Sequence, residues 1–262
     1  MHDIMNTTGH ATTPVANAVE CSDVSFCFTA SRDVLHAISI TVPVGSTFAV
    51  LGPNGAGKST LLELIAGLRR PRRGTLRVDD VRVTGSPSSR PDGVMLMSRR
   101  AVPPAGFTVA SLLRYVAAWH ARWDAETASA LLQRFALAEQ QRIDTLSFGG
   151  QMKVQLITAL ASQPRVLLLD EPFIGLDVRT KEALIDGMLS VHTTQPRTTL
   201  IASHELAELE LLVDDVVVLN EGRVHLTGNL DDLRARSGAA ATLRDLSRPD
   251  MPPAHYPLEL AV

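Results

Sequence analysis

The chain is poor in cysteine, holds no long apolar run and carries no excess of positive charge. Two cysteines, Cys21 and Cys27, stand among 262 residues, with no paired histidine cluster near them. A disulfide framework and a thiolate metal site are therefore excluded, and reduced thiols in or near a strand are predicted. No apolar stretch approaches the roughly 18 residues of a membrane-spanning helix. The segment Met1 to Ala18 lacks the basic start and apolar core of a signal peptide, so a cytosolic protein is expected. Lys and Arg number 25 against 28 Asp and Glu, a net charge of −3. That balance argues against a nucleic-acid platform, and no nucleic-acid partner is expected. Arg69, Arg70, Arg72 and Arg73 do cluster, but a solvated helix end explains them. No internal repeat occurs, and no Asn-Lys-x-Asp guanine reader is present.

Residues Gly52 to Ser59 read Gly-Pro-Asn-Gly-Ala-Gly-Lys-Ser. This fits the phosphate-cradling pattern G-x-x-x-x-G-K-[ST]. Glycines turn the backbone tightly with no Cβ in the way of a phosphate. Successive N–H groups then converge on one anion, and the positive end of the following helix faces the same charge. Lys58 can reach the β- and γ-phosphates, and the Ser59 hydroxyl can hold Mg2+. Thr47 to Leu51 is an apolar run suited to a buried parallel strand. Leu61, Leu64, Ile65 and Leu68 fall at helical spacing, and Gly67 stands where the helix can stop.

The rest of the chain alternates strand and helix patterns. Val24 to Phe28, His36 to Val42 and Val94 to Met97 read as strands, and Gly74 to Val83 as a hairpin leading to the breaker Gly85-Ser86-Pro87. Between about 108 and 142 the apolar residues (Leu112, Leu113, Val116, Leu131, Leu132, Phe135, Leu137) recur at helical spacing, which predicts a helical lobe. A strand over Val166 to Leu169, a helix over 179–192, a strand over Thr199 to Ala202, a helix over 205–212 and strands near 215–219 and 223–226 follow. Such alternation predicts an α/β protein with a mostly parallel sheet. Residues 1–18 and 236–262 are expected to be a loose tail at each end.

Two carboxylates emerge at the end of the apolar run Val-Leu-Leu-Leu-Asp-Glu-Pro, residues 166–172. Ligands of open α/β sheets bind at that edge. Asp170 is suited to position Mg2+ through its water shell, and Glu171 to accept a proton from attacking water. Next, Thr145-Leu-Ser-Phe-Gly-Gly-Gln151 puts small residues at a helix start, a second place for an anion.

With these motifs in this order the chain resembles the ATP-binding subunit of an ABC transporter over about residues 19–235. The family signature Leu-Ser-Gly-Gly-Gln is matched by Leu146-Ser147-Phe148-Gly149-Gly150 with Gln151 next; a register one residue later, with Phe148 inserted, is the alternative. Gly175-Leu176-Asp177 resembles the loop that crosses the dimer, and Ser203-His204 the switch histidine that senses the γ-phosphate. The resemblance implies an ABC ATPase fold: a RecA-like P-loop NTPase core, an antiparallel β subdomain and a helical signature subdomain at about 100–160. It implies ATP and Mg2+ as ligands. ATP would be held by Gly52, Pro53, Asn54, Gly55, Ala56, Gly57, Lys58, Ser59 and Thr60, with Phe28 stacking on adenine and Ser59 and Asp170 at the metal. Glu171 and His204 would be catalytic.

The resemblance also implies a head-to-tail dimer with an identical or different cassette. Ser147, Phe148, Gly149, Gly150 and Gln151 of one subunit would cover ATP on the other, with Asp177 at the interface. A separate membrane-spanning permease is the implied partner, placing the chain on the inner face of the membrane, with export favoured as the direction. One departure stands out. The family has a glutamine after the strand Val94 to Met97; here Ser98-Arg99-Arg100 follows, with Arg99 first and Ser98 second at the glutamine position. Arginine cannot ligate a cation. A soluble ABC ATPase acting as a mechanical or regulatory module is the alternative function; a P-loop kinase or GTPase fits poorly.

Overall fold

The structure, a computed structural model, describes residues 16–29, 32–98, 106–192, 197–204, 209–237, 242–246 and 254–255. Its strands are β1 (Asn17–Thr29), β2 (Arg32–Pro43), β3 (Thr47–Leu51), β4 (Arg73–Val78), β5 (Val81–Arg82), β6 (Val94–Ser98), β7 (Val166–Asp170), β8 (Thr198–Ala202), β9 (Asp215–Asn220), β10 (Arg223–Asn229) and β11 (Ala254–His255). Its helices are α1 (Lys58–Ile65), α2 (Val109–Ala117), α3 (Ala125–Arg134), α4 (Phe148–Ala161), α5 (Val178–His192), α6 (Leu230–Ser237) and α7 (Leu243–Leu246).

Two sheets form. One is antiparallel, ordered β2-β1-β4-β5; the other is ordered β11-β10-β9-β3-β8-β7-β6. Strands β9, β3, β8, β7 and β6 run parallel, and β10 returns antiparallel along β9. Their short aliphatic runs are what a sheet covered on both faces requires.

Successive residues of these strands enter two different cores. Phe48 and Val50 of β3, Val166 and Leu168 of β7, and Val217 and Leu219 of β9 pack with α1 and the antiparallel sheet. Ala49 and Leu51, Leu167 and Leu169, and Val216 and Val218 face the helices α2 to α5 instead. That is the two-residue period of a strand made visible. Helix α1 buries Leu61, Leu62, Leu64 and Ile65 on the first face, each such side chain contributing about 1.5–3 kcal/mol of burial.

The helical lobe starts where the sequence pattern changes. Thr108 caps α2 in a reciprocal box with Ser111, and Asp124 caps α3 by accepting from Glu126 N and Thr127 N at 3.0 Å.

Three differences from the sequence reading have physical causes. Strand β1 begins at Asn17, inside the expected tail, because Ala18 and Val19 are both buried at 1% exposure. Beyond residue 236, α7 is anchored: Leu243 is fully buried and its N–H donates to Glu210 Oε1 at 2.8 Å. The arginine cluster is more than a solvated helix end. Arg69 pairs with Glu63, and Arg72 pairs with Asp33 at 2.9 Å. Of the helix expected over 205–212, residues 205–208 lie outside the described residues. Among the described residues, no helix is long and apolar enough to cross a membrane.

Candidate functional site

Strand β3, buried at all five positions, delivers the glycine loop to the carboxyl edge of the sheet. Gly52 has φ 142°, and a Cβ there would stand 2.2 Å from the Leu219 carbonyl oxygen of β9. Gly57 has φ 103°, and its Cβ would meet Leu35 Cδ2 at 2.4 Å. Both glycines are therefore fixed by backbone conformation and by neighbours at once. Pro53, Asn54 and Gly55 are exposed at the turn, while Ala56 and Thr60 are buried behind it. A cleft of about 900 Å3 opens beside the turn, lined by Pro53, Asn54, Asp33, His36, Glu221 and Arg223 among others.

Lys58 opens α1 and is only 6% exposed. Its Nζ donates to the Gly52 carbonyl at 2.8 Å and the Pro53 carbonyl at 3.4 Å, and lies 3.5 Å from Glu171 Oε1. A cation buried this far is held by its own loop and one carboxylate. Ser59 Oγ donates to Asp170 Oδ1 at 2.8 Å. The strand registry Ser98↔Asp170↔Ala202 puts β6, β7 and β8 side by side at this edge.

Asp170 and Glu171 are adjacent but differently held. Burial raises the Asp170 carboxyl above its ordinary value; the Ser59 hydrogen bond opposes this, Glu171 and Glu63 add to it, and Lys58 opposes it. Glu171 takes a left-handed backbone, φ 52°, with its N–H on the Ala202 carbonyl at 2.8 Å. A non-glycine residue in that region costs roughly 1–3 kcal/mol, the kind of strain that gathers at working sites. It turns the Glu171 carboxylate between Lys58 and His204, whose Nδ1 lies 3.0 Å and 2.9 Å from its two oxygens. His204 follows β8 directly, after the fully buried Ser203.

The sequence-predicted residues thus fall in three places. Gly52 to Thr60, Asp170, Glu171 and His204 form one cluster. Phe28 lies at the end of β1 with 57% exposure, its ring edge-on to Phe26 at 5.0 Å and its face covered by the Arg69 guanidinium at 4.5 Å.

Ser147 to Gln151 make the third place. Ser147 caps α4 by accepting from Gly150 N at 3.2 Å, so Phe148 is the first helical residue and Gly149 and Gly150 lie in the first turn. Phe148 is 43% exposed. Gly149 is pressed on Thr180, which Asp177 holds through the Thr180 N–H at 3.0 Å and hydroxyl at 2.7 Å. Those two bonds hold the Asp177 carboxyl below its ordinary value. Among the described residues, no hydrogen bond joins this turn to the phosphate loop. Arg99 lies outside the described residues; Ser98 ends β6.

The pair Arg69–Glu63 behind Phe28 was not anticipated. Its only signal was the arginine cluster itself, which has a local and blander explanation.

The site residues fit Mg2+ and a phosphate. A half-buried carboxylate crowded by Glu171 and Glu63, and bonded to the Ser59 hydroxyl, gathers negative charge that a divalent cation would relieve. Among the described residues no group of three His, Cys, Asp or Glu side chains is placed to hold a metal ion by itself. A cation held here would need further ligands from phosphate oxygens and water, as Mg2+ commonly takes.

Comparison with known proteins agrees with this geometry. The family described as ABC transporter matches residues 35–174. The Fe(3+) ions import ATP-binding protein FbpC of Escherichia coli is 32% identical over 224 residues, covering 83% of this chain and 63% of the relative. The sulfate/thiosulfate import ATP-binding protein CysA of Mesorhizobium japonicum is 35% identical over 208 residues, covering 76% of this chain and 60% of the relative. The chain thus spans less than two thirds of the length of those two. It spans 96% of the phosphonates import ATP-binding protein PhnC of Trichormus variabilis, which is 30% identical over 233 residues and covers 83% of this chain. Among solved structures, an ATP-binding subunit of an ABC transporter superposes with a TM-score of 0.77 at 31% identity, covering 87% of this chain and 97% of that one. A bacterial ABC exporter with ATP bound gives 0.71 at 27% identity, covering 84% of this chain and 40% of that one. The chain belongs to the ABC transporter family, and its fold is the ABC ATPase fold.

Proposed function

We propose that this chain binds ATP with Mg2+ and hydrolyses it to drive a transporter whose membrane-spanning permease is a separate polypeptide. The observation that carries this reading is the closed contact set Ser59–Asp170, Lys58–Glu171 and Glu171–His204 at the mouth of the glycine loop.

The loop N–H groups and the start of α1 receive the phosphates. Lys58 exchanges the carbonyls of Gly52 and Pro53 for the β- and γ-phosphate oxygens. The Ser59 hydroxyl and Asp170 would hold Mg2+, which would supply charge neutralisation on those phosphates. Glu171 accepts the proton of the attacking water, a role suited to a carboxylate whose backbone is bent to aim it. His204 holds the Glu171 carboxylate in place and stands where it can meet the γ-phosphate.

The turn Ser147 to Gln151 is exposed at Ser147 and Phe148, makes no hydrogen bond to the phosphate loop among the described residues and is backed by the Asp177–Thr180 cap. We assign it to the nucleotide of a second ATP-binding subunit, identical or not, in a head-to-tail pair. The permease partner places the subunit on the inner face of the membrane. Export was favoured by the sequence reading, but the relatives named above are import subunits, so export has no support from them.

Glu171→Gln tests the assignment. ATP turnover is expected to fall by on the order of 10²–10⁴ while ATP binding persists. Wild-type turnover by this variant, assayed with the permease present, removes Glu171 from the role.

A further inference from the structure

Phe28 is a large apolar ring left 57% exposed, although its neighbour Phe26 is 7% exposed. It is not simply loose. Phe26 meets it edge-on at 86°, and the Arg69 guanidinium carbon sits 4.5 Å from its centroid, nearer than the 5.7 Å to Phe26. Arg69 is itself anchored, because its Nε donates to the Glu63 carboxylate. The two side chains are 31% and 18% exposed, so the pair is partly withdrawn from water. One face of Phe28 is thus closed by a planar cation and one edge by a ring, and the remaining surface is open.

Glu63 rides on α1, the helix that begins at Lys58. Five residues of α-helix separate the two along the axis, about 7.5 Å. The base-side anchor and the phosphate-side cation therefore belong to one rigid element.

We propose that Arg69 is a base-positioning residue: its guanidinium backs Phe28, and the adenine of bound ATP stacks on the open side of the ring, giving an Arg69–Phe28–base sandwich. This rests on the reading that Phe28 stacks on the base. The physical reason is twofold. A cation over one ring face is held by the ring quadrupole and draws electron density toward itself, so the opposite face repels a purine less. A guanidinium, being planar, stacks where an ammonium can only point. The anchor also fixes the orientation of an exposed ring, which otherwise must be ordered when the base arrives.

The test measures dissociation constants of the full chain for ATP and for inorganic tripolyphosphate, both with Mg2+. Phe28→Ala and Arg69→Met are each expected to weaken ATP binding about fivefold or more and to leave tripolyphosphate binding unchanged. Arg69→Lys keeps a cation on Glu63 and is expected to recover part of the affinity. If Phe28→Ala weakens ATP and Arg69→Met does not, Arg69 has no part and the base-stacking reading stands alone. If neither variant matters, both the stacking reading and this inference fail. Tighter ATP binding by Arg69→Met makes Arg69 a competitor of the base and overturns the proposal. So does an equal loss of tripolyphosphate affinity, since that reports a general disturbance of the phosphate end of α1.

Discussion

The phosphate loop and the α4 turn are both glycine-rich bends at helix starts, yet they are built in opposite ways. Gly52 to Ser59 is folded inward. Gly52 presses on the backbone of β9 and Gly57 on the side chain of Leu35, its lysine is buried, and its hydroxyl is bonded to Asp170. Ser147 to Gln151 faces outward. Ser147 bonds only within its own helix, Phe148 is exposed, and Gly149 leans on a methyl group. The first is complete within one chain. The second makes no hydrogen bond to the phosphate loop among the described residues, and the role proposed for it lies at another subunit. Similar sequence patterns therefore need not mean similar structural roles; what surrounds the glycines decides.

The sharpest way to break this contrast is to add one methyl group to each bend. Gly52→Ala puts a Cβ 2.2 Å from a backbone carbonyl at a φ that side chains rarely adopt, and is expected to cost about 2 kcal/mol or more and to abolish ATP binding. Gly149→Ala meets the Thr180 methyl at 3.1 Å, which can give, and is expected to cost under about 1 kcal/mol. Equal falls in melting temperature would show that the two bends are supported alike.

A second experiment looks at the inward site alone. Burial lifts the Asp170 carboxyl, so folding favours its protonated form. The sign follows: its charged form is a penalty on stability above the raised value, and the penalty disappears as pH falls through it. Asp170→Asn is therefore expected to raise the melting temperature at neutral pH in the absence of nucleotide, while Mg2+-dependent turnover drops. A lower melting temperature in this variant would mean that Asp170 serves stability instead. The smallest effect belongs to the outward bend. Ser147→Ala removes the α4 cap and is expected to cost about 0.5–1 kcal/mol, read by chemical denaturation, with ATP binding by the single subunit unchanged. A loss of binding in the isolated subunit would place Ser147 at its own nucleotide.

Much of this was legible in the sequence because it is local. Five buried residues in a row mark β3, three glycines and a lysine mark the loop behind it, and two acids at the end of an aliphatic run mark the edge of β7. The shift to helical spacing near Leu112 marks the lobe. What was not legible is what joins distant segments. Nothing near Gly52 announces that Leu219 stands under it. Arg69 and Glu63 look like ordinary surface charges until Phe28 is brought beside them. Leu243 sits in an Ala-rich stretch with no periodicity, and only the Glu210 carboxylate and the core under it explain why it is buried.

The strand that carries the glycine loop lies between β8 and β9, and both of its neighbours come from far downstream. The Thr47 N–H is satisfied by the Asp214 carboxylate, 167 positions later. On a ribosome, then, the glycine-loop segment emerges ahead of both strands that flank it and waits without them until β8 and β9 have been made. Such late closure of non-local pairings slows folding and leaves hydrophobic edges open meanwhile. The glycine loop is therefore recognisable in the nascent chain long before the sheet that shapes it can close around it.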